Sequence, residues 1–246
     1  MSQPLDAQRS LGELATSVPG AARVFERAGL DFCCGGKKSL HEACAAAGMN
    51  AEELLAELAA ADPETPSDAR WRERPLLDLV QHIVTRHHQY VREETPRIHR
   101  WLDKVVSAHG SRHPEVAEIR QGFESMAADL AQHMAKEELI LFPAIARLDG
   151  PAAVGARPPA GGCGDVAHPV ERMMQEHAHS GNDLAELRRL SGGYAPPPDA
   201  CATFRALYQA LADFERDLHQ HIHLENNLLF PRALELERQH AGSRPA

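Results

Sequence analysis

The sequence predicts an all-α fold, in which an up-down four-helix bundle follows a small N-terminal helical domain. Aromatic residues make up only 5% of the 246 residues, Ala and Leu are abundant, and runs of Val and Ile are scarce, a composition that favours helix over sheet. Apolar residues recur at spacings of three and four along four long segments. These predicted helices lie near 75–109, 114–148, 167–191 and 199–238.

Short helices with explicit end signals are predicted before the bundle. Three residue pairs have the spacing of a capping box, in which the side chains at the first and fourth positions each bind the other's backbone N–H: Ser10 and Glu13, Ser39 and Glu42, and, in a weaker form, Asn50 and Glu53. Gly29 and Gly48 stand where such helices should stop. We therefore predict a helical domain at 1–62, a linker at 63–74 and the bundle at 75–240.

Prolines and glycines interrupt the long predicted helices. Pro96, Pro143 and Pro231 fall inside or near the ends of helices, so we expect kinks or terminations there. A stretch rich in Pro and Gly, from Gly150 to Pro169, separates the second long helix from the third and carries Cys163.

Composition also limits the kinds of partner. The net charge of −9 argues against a broad nucleic-acid-binding surface. No stretch is apolar and long enough to span a bilayer, and the N-terminus lacks the apolar core of a signal peptide. An odd number of cysteines, five, without a signal peptide predicts reduced thiols and a cytoplasmic location.

One segment of the chain occurs twice. Gln132-His133-Met134-Ala135-Lys136-Glu137 returns 88 residues later as Gln220-His221-Ile222-His223-Leu224-Glu225, and both copies run on into Leu-Phe-Pro. Residues four apart lie on one face of a helix. Each copy therefore directs an imidazole and a carboxylate toward the same point.

Both repeated pairs occupy positions where the apolar stripe of a helix requires a core residue. The stripe of the third long helix contains His177, and the stripe of the first contains His88, which the periodicity favours only slightly over His87. Burying so many unpaired polar groups would cost several kcal/mol each, so a metal is expected to compensate. Imidazole nitrogens with carboxylate oxygens suit iron, manganese or zinc, and two carboxylates among four imidazoles suit a pair of metals.

Two adjacent cysteines, Cys33 and Cys34, precede Gly-Gly-Lys-Lys. Neighbouring Cα atoms lie about 3.8 Å apart, whereas disulfides need roughly 4.4 Å or more, so a bond between the two would be strained. The next helix N-terminus and the lysines are expected to lower the pKa of these thiols. The pair could bind a metal, carry nitric oxide or exchange with other thiols; alternatively, both are small apolar residues in a tight turn. Cys44 and Cys201 are predicted to be buried.

These motifs together resemble the iron-sulfur cluster repair di-iron proteins. The resemblance covers nearly the whole chain and rests on LGELATSVPGAARVF, DFCCGG, HMAKEELILFP, MMQEHAHSG and HIHLENNLLFP. It implies a hemerythrin-like bundle holding two irons, with bridging glutamates and an oxo or hydroxo bridge, and it favours His88 over His87. The ligands implied by the resemblance are His88, His133, Glu137, His177, His221 and Glu225. The sequence departs from the family at the long Gly150–Pro169 stretch and at Asp129, where relatives carry glutamate.

The resemblance implies a stress-response protein that helps restore iron-sulfur clusters damaged by nitric oxide or peroxide, with Cys33 and Cys34 as a thiol relay for iron or the nitrosyl group. Its expected partners are damaged iron-sulfur proteins and nitric oxide, but neither nucleic acid nor membrane; a homodimer is left open. The main alternative is a cytoplasmic nitric-oxide-binding or nitric-oxide-reducing di-iron protein associated with denitrification. An oxygen carrier like hemerythrin, which has more histidine ligands, and a structural zinc bundle are less favoured.

Overall fold

The computed structural model describes residues 5–61, 68–149 and 166–242. Within these ranges the regular structure is helical, apart from a single β-bridge between Ser10 and Ser39, so the predicted all-α class is confirmed. No helix in these ranges is both long and apolar enough to cross a membrane. The α-helices are α1 Leu11–Ser17, α2 Ala21–Ala28, α3 Leu40–Ala47, α4 Ala51–Ala59, α5 Leu76–His82, α6 Gln89–His109, α7 Glu115–Lys136, α8 Phe142–Asp149, α9 Ala167–Leu190, α10 Ala202–Leu224 and α11 Phe230–Gly242, with a 3₁₀ turn at Asp68–Arg72.

Among the described residues, three wide π-helical turns interrupt the long helices: π1 Ile83–His88, π2 Glu137–Leu141 and π3 Glu225–Leu229. Each turn closes through a bond to the carbonyl five residues back. Thus the N–H of Phe142 donates to Glu137 O, and the N–H of Phe230 donates to Glu225 O. A proline follows each of these phenylalanines and has no N–H with which to continue the α pattern. Pro143 and Pro231 are the second residues of α8 and α11, directly after the π turns, and Pro96 lies inside α6, which continues through it.

The chain forms two compact units. The first, unit 1, comprises Met1–Val80, Ile145–Val166 and Gln220–Ala246. Within it, the structure describes residues 5–61, 68–80, 145–149, 166 and 220–242. Its N-terminal helices enclose an apolar cluster that includes Leu14, Phe25 and Leu40, none of which is exposed. Ser10 and Ser39 form the predicted capping boxes.

The ends of the other N-terminal helices differ in detail from one another. Asn50 accepts a hydrogen bond from the N–H of Glu52 rather than completing a box through Glu53. Gly29 and Gly48 end their helices in the left-handed conformation, with φ of 67° and 68°, where a side chain would be strained. Both stops were predicted.

The second unit, unit 2, comprises Gln81–Ala144 and Ala167–His219 and includes the larger part of the four long helices predicted for the bundle. Helix α7 packs against both α6 and α9. The ring of Phe214, on α10, lies 6.3 Å from Tyr90 of α6 and 5.4 Å from Phe123 of α7, measured between ring centres. Arg188 of α9 pairs with the buried Glu215 of α10. All four long helices therefore contribute to one core.

Candidate metal centre

Three of the six predicted ligands lie at the first or last residue of a π turn. His88 is the last residue of π1, Glu137 the first of π2, and Glu225 the first of π3. Single π turns inside α-helices occur frequently at functional sites. The wide turns contain three of the six predicted ligands, whereas His133, His177 and His221 lie in regular α-helix.

Unit 2 brings four predicted ligands together around one carboxylate. The Oε1 atom of Glu137 lies 3.2 Å from His133 Nε2, and its Oε2 atom lies 3.4 Å from His88 Nε2. The Nε2 atom of His177 lies 3.0 Å from that of His133. Glu137 and His88 are fully buried, and the other two histidines nearly so. The two oxygens of Glu137 thus face histidines on different helices.

Unit 1 holds the other copy of the repeated pair. His221 Nε2 lies 3.2 Å from Glu225 Oε1, and both side chains are buried. This distance equals that between His133 and Glu137. The two copies therefore have the same local geometry, as residues four apart on a helix should.

A second carboxylate, that of Glu176, binds the other ring nitrogen of His133. The Nδ1 atom of His133 lies 3.0 Å from Glu176 Oε2, and Glu176 is also bound by Lys136 at 2.7 Å and Arg172 at 3.0 Å. Burial alone would raise the pKa of Glu176, but the hydrogen bonds from Lys136, His133 and Arg172 outweigh it and lower the pKa to about 2. An ionised Glu176 accepts the Nδ1 proton of His133, which leaves the Nε2 lone pair directed toward Glu137 and available to a metal.

His88 has an equivalent support. Its Nδ1 atom lies 2.6 Å from Glu138 Oε1, and Arg92 binds the same carboxylate. Burial raises the pKa of Glu138, but His88 and Arg92 together lower it overall. The adjacent His87 instead pairs through Nδ1 with Asp217 at 3.1 Å. The structure therefore places His88, not His87, beside Glu137.

Neither supporting carboxylate was predicted from the sequence, although each is next to a predicted ligand in the chain. Glu138 follows Glu137, and Glu176 precedes His177. One further signal was available, since Arg172 stands four residues before Glu176 and pairs with it. Asp129 is exposed and lines a pocket of about 340 Å³ between α7 and α9, together with His133, Lys136, Arg172, Glu176 and His179.

In unit 1, Asp31 organises the double-cysteine loop. Its Oδ1 atom accepts the N–H groups of Cys33 and Cys34, at 3.2 and 2.8 Å, and its Oδ2 atom accepts that of Gly35 at 2.8 Å. The two sulfur atoms are 3.9 Å apart and form no disulfide. A Cβ atom on Gly35 would lie 2.9 Å from Asp31 O, which explains the glycine there. Cys33 is buried, whereas Cys34 is partly exposed.

The expected lowering of both thiol pKa values is wrong for Cys33. Its hydrogen bond with Cys34, followed by burial and the negative charges of Cys34 and Asp31, raises the pKa of Cys33. The hydrogen bond with Cys34 and the loss of water on burial therefore favour the neutral thiol of Cys33.

The double-cysteine loop is anchored to π3 by two asparagines. Asn226 Nδ2 donates to Cys33 O at 3.2 Å, and Asn227 Nδ2 donates to Phe32 O at 3.0 Å. The same amide group of Asn227 donates to His223 Nδ1 at 2.9 Å. His223 is fully buried, and burial lowers its pKa to about 4. The double-cysteine loop is thus hydrogen-bonded to the two residues that follow Glu225.

The remaining cysteines differ from one another. Cys44 is buried, as predicted. Cys201 is exposed, so its predicted burial is wrong; it precedes α10 instead of lying on its core face, and its sulfur lies 3.3 Å from His109 Nε2. Cys163 and most of the Gly150–Pro169 stretch lie outside the described residues.

Comparison with known proteins divides the chain in the same way as the motifs. Residues 7–62 match ScdA_N, a domain of unknown function, and residues 79–233 match the hemerythrin HHE cation-binding domain. Relatives named iron-sulfur cluster repair protein YtfE are 41% identical in Pectobacterium carotovorum strain PC1 and 40% identical in Musicola paradisiaca, in each case over 92% of this chain and 96% of the relative. The relative of that name in Yersinia pestis strain Pestoides F is 38% identical over the same shares.

Proposed function

Since the chain belongs to the family of iron-sulfur cluster repair proteins, with a ScdA-type N-terminal domain and a hemerythrin HHE domain, we propose that it helps repair iron-sulfur clusters damaged by nitrosative or oxidative stress. Its partners in this role are damaged iron-sulfur proteins, and its place of work is the cytoplasm. A second candidate function is the binding or reduction of nitric oxide by the same metal centre.

The metal centre that we propose for this role holds two irons. Its ligands are the six residues predicted from the stripes and the repeat: His88, His133, Glu137, His177, His221 and Glu225. The observation that carries the proposal is the disposition of Glu137, whose two oxygens face different histidines at 3.2 and 3.4 Å. A carboxylate so placed suits a bridge between two cations, and the repeat supplies a second one in Glu225.

The donor set fits iron by its chemistry. His133 Nε2 and His177 Nε2 lie 3.0 Å from each other, close enough for both nitrogens to bind one cation. The set contains imidazoles and carboxylates but no thiolate, as non-haem iron sites commonly do. When bound, the irons would supply redox and ligand-exchange chemistry.

The chain's own residues prepare the donor atoms. Glu176 and Glu138 each hold the outer ring nitrogen of a histidine, so the inner nitrogen keeps its lone pair. Lys136, Arg172 and Arg92 keep these two carboxylates charged. Burial of Glu137 excludes water that would compete for its oxygens.

We propose further that Cys33 and Cys34 accept or relay iron, or the nitrosyl group, during repair. The support is that Asn226 and Asn227 bind the backbone of this loop. Because these residues follow Glu225 directly, the thiols belong to the same compact unit as one His-Glu pair.

Two neighbouring histidines provide a matched test of the metal centre. His88→Gln should lose iron and should no longer restore activity to a nitric-oxide-damaged [4Fe-4S] enzyme. His87→Gln, which alters a side chain paired with Asp217 instead, should keep both. Iron analysis of anaerobically purified protein and recovery of the client enzyme are the two measurements. Retention of two irons in His88→Gln would refute the ligand assignment.

Substitution of Cys33 and Cys34 tests the relay separately from the metal centre. A Cys33→Ala/Cys34→Ala double variant should keep its iron but repair clusters slowly, while Cys44→Ala should repair at the wild-type rate. Repair at the wild-type rate by the double variant would refute the relay. Consumption of nitric oxide with no recovery of damaged clusters would favour the nitric oxide function over repair.

A further inference from the structure

The double-cysteine loop gathers three donor atoms in one place. Adjacent side chains in an extended chain point to opposite faces, but the turn around Asp31 brings Cys33 Sγ and Cys34 Sγ to 3.9 Å from each other. Cys33 Sγ lies 3.3 Å from Asp31 Oδ1. Ligand atoms of all three residues lie within 4.8 Å of one another.

Two of these separations, Cys33 Sγ to Cys34 Sγ and Cys33 Sγ to Asp31 Oδ1, are close to those of a tetrahedral metal site. Two sulfurs that each lie about 2.3 Å from one tetrahedral cation are about 3.8 Å apart, and a sulfur and a carboxylate oxygen are about 3.6 Å apart. The observed 3.9 and 3.3 Å require movements of a few tenths of an ångström. Two thiolates and a carboxylate would also bring three negative charges together, which a cation would compensate.

We propose that Asp31, Cys33 and Cys34 form a second metal site, separate from the histidine-glutamate ligands, for one thiophilic divalent cation. The donor set prefers Fe²⁺ or Zn²⁺ to Mg²⁺ or Ca²⁺, because thiolates are soft ligands. Three protein ligands leave one tetrahedral position open, as in sites that exchange a ligand. The identification of the cation as iron in transit to a client cluster rests on the proposed function; the site itself does not.

The surroundings of the loop favour a defined ligand geometry. The backbone carbonyls of Phe32 and Cys33 are fixed by Asn227 and Asn226. A Cβ atom on Gly36 would lie 2.6 Å from Phe32 O and 2.8 Å from Asn227 Oδ1. A larger residue at this position would therefore clash with both atoms. A preorganised loop loses less conformational entropy when it binds an ion.

Cobalt(II) distinguishes this site from the bundle ligands, because only thiolate ligation gives an intense sulfur-to-cobalt charge-transfer band. We would titrate Co²⁺ into the iron-loaded full-length protein under anaerobic conditions. The band should saturate at one cobalt per chain, with the strong visible absorption of tetrahedral cobalt. Cys33→Ser and Cys34→Ser should each abolish it, and Asp31→Asn should weaken cobalt binding by roughly tenfold or more.

Cys44→Ala is the matched control, since Cys44 is a thiol in the same N-terminal helical cluster and should leave the band unchanged. Because Asp31 also holds the turn, circular dichroism must show that Asp31→Asn is folded; Cys34→Ser tests the site independently. Absence of the band in the wild type, or its persistence in Cys34→Ser, would overturn the proposal. Failure of repair with an intact band would count against the proposed function alone.

Discussion

The contact of Asn227 with Gly12 permits a quantitative test of how the N-terminal domain is held. A Cβ atom on Gly12 would lie 2.4 Å from Asn227 Oδ1 and 2.7 Å from its Cγ, and the three nearest atoms all belong to this one side chain. An alanine at position 12 therefore requires Asn227 to move. Movement would break the hydrogen bonds from its amide group to Phe32 O and His223 Nδ1.

The magnitude follows from these two bonds. Each contributes about 0.5–1.5 kcal/mol net, so the displacement costs about 1–3 kcal/mol. Against this, replacing a helical glycine by alanine gains up to about 1 kcal/mol. Gly12→Ala should thus be neutral or destabilising in the wild type, by about 0–2 kcal/mol. In an Asn227→Ala background, where the displaced side chain is absent, Gly12→Ala should instead be stabilising by up to about 1 kcal/mol.

The labelling rate of Cys44 provides the assay, because this thiol is only 1% exposed in the N-terminal cluster and reacts when the domain opens. Peptide mass spectrometry on the wild type, both single variants and the double variant gives the coupling free energy, which we expect to be about 1–3 kcal/mol. Gly48→Ala is the control. It is strained by its positive φ but has nothing within 4 Å, so its effect should add to that of Asn227→Ala. Additivity of Gly12→Ala and Asn227→Ala within about 0.5 kcal/mol would refute the reasoning.

Three further predictions concern the metal support and the thiols. Glu176→Gln should accelerate iron loss to a chelator by roughly 10–100-fold, whereas Glu186→Gln, an exposed change on the same helix, should not; equal rates in wild type and Glu176→Gln would contradict the supporting role. The folded-state pKa of Glu176, about 2, is below its ordinary value of 4.5. Its ion pairs therefore stabilise the protein above about pH 4.5 and are lost as the pH falls toward 2, so acid unfolding of metal-depleted wild type should be steeper in this window than that of Glu176→Gln. Iodoacetamide should alkylate Cys34 before Cys33, since Cys33 is buried and its pKa is raised; mass spectrometry gives the order, and the reverse order would show that the loop opens more readily than the structure indicates.

The elements that were predictable from sequence are those set by local periodicity. The repeat placed His133 beside Glu137 and His221 beside Glu225, because four residues along a helix fix that relation before any tertiary contact forms. The four long helices were located for the same reason. Capping at Ser10 and Ser39 was predictable because both partners lie within four residues.

What the sequence did not predict depends on distant partners. Glu138 reaches His88 across 50 residues, and Asn227 reaches Phe32 across 195; neither spacing has a periodic signature. The pKa of Cys33 was predicted in the wrong direction, because its hydrogen bond with Cys34 and its burial depend on how the loop folds and have no signature in the spacing of residues. The choice between His87 and His88 needed helix contacts as well, since both are buried.

The turns π2 and π3, which begin at the glutamates of the two repeated pairs, differ in the residues that follow these glutamates. Both π2 and π3 have five residues and are closed by a bond from a phenylalanine N–H to the carbonyl of the first glutamate, but π3 carries Asn226 and Asn227, whose amides bind the double-cysteine loop. The matching positions of π2 carry Glu138 and Leu139, and Leu139 is 78% exposed. π3 thus binds the double-cysteine loop, whereas π2 supports His88 through Glu138 and exposes Leu139; both turns begin with a buried carboxylate, Glu225 and Glu137 respectively. Substitutions at Leu139 can therefore alter the protein's exterior without loosening its N-terminal domain.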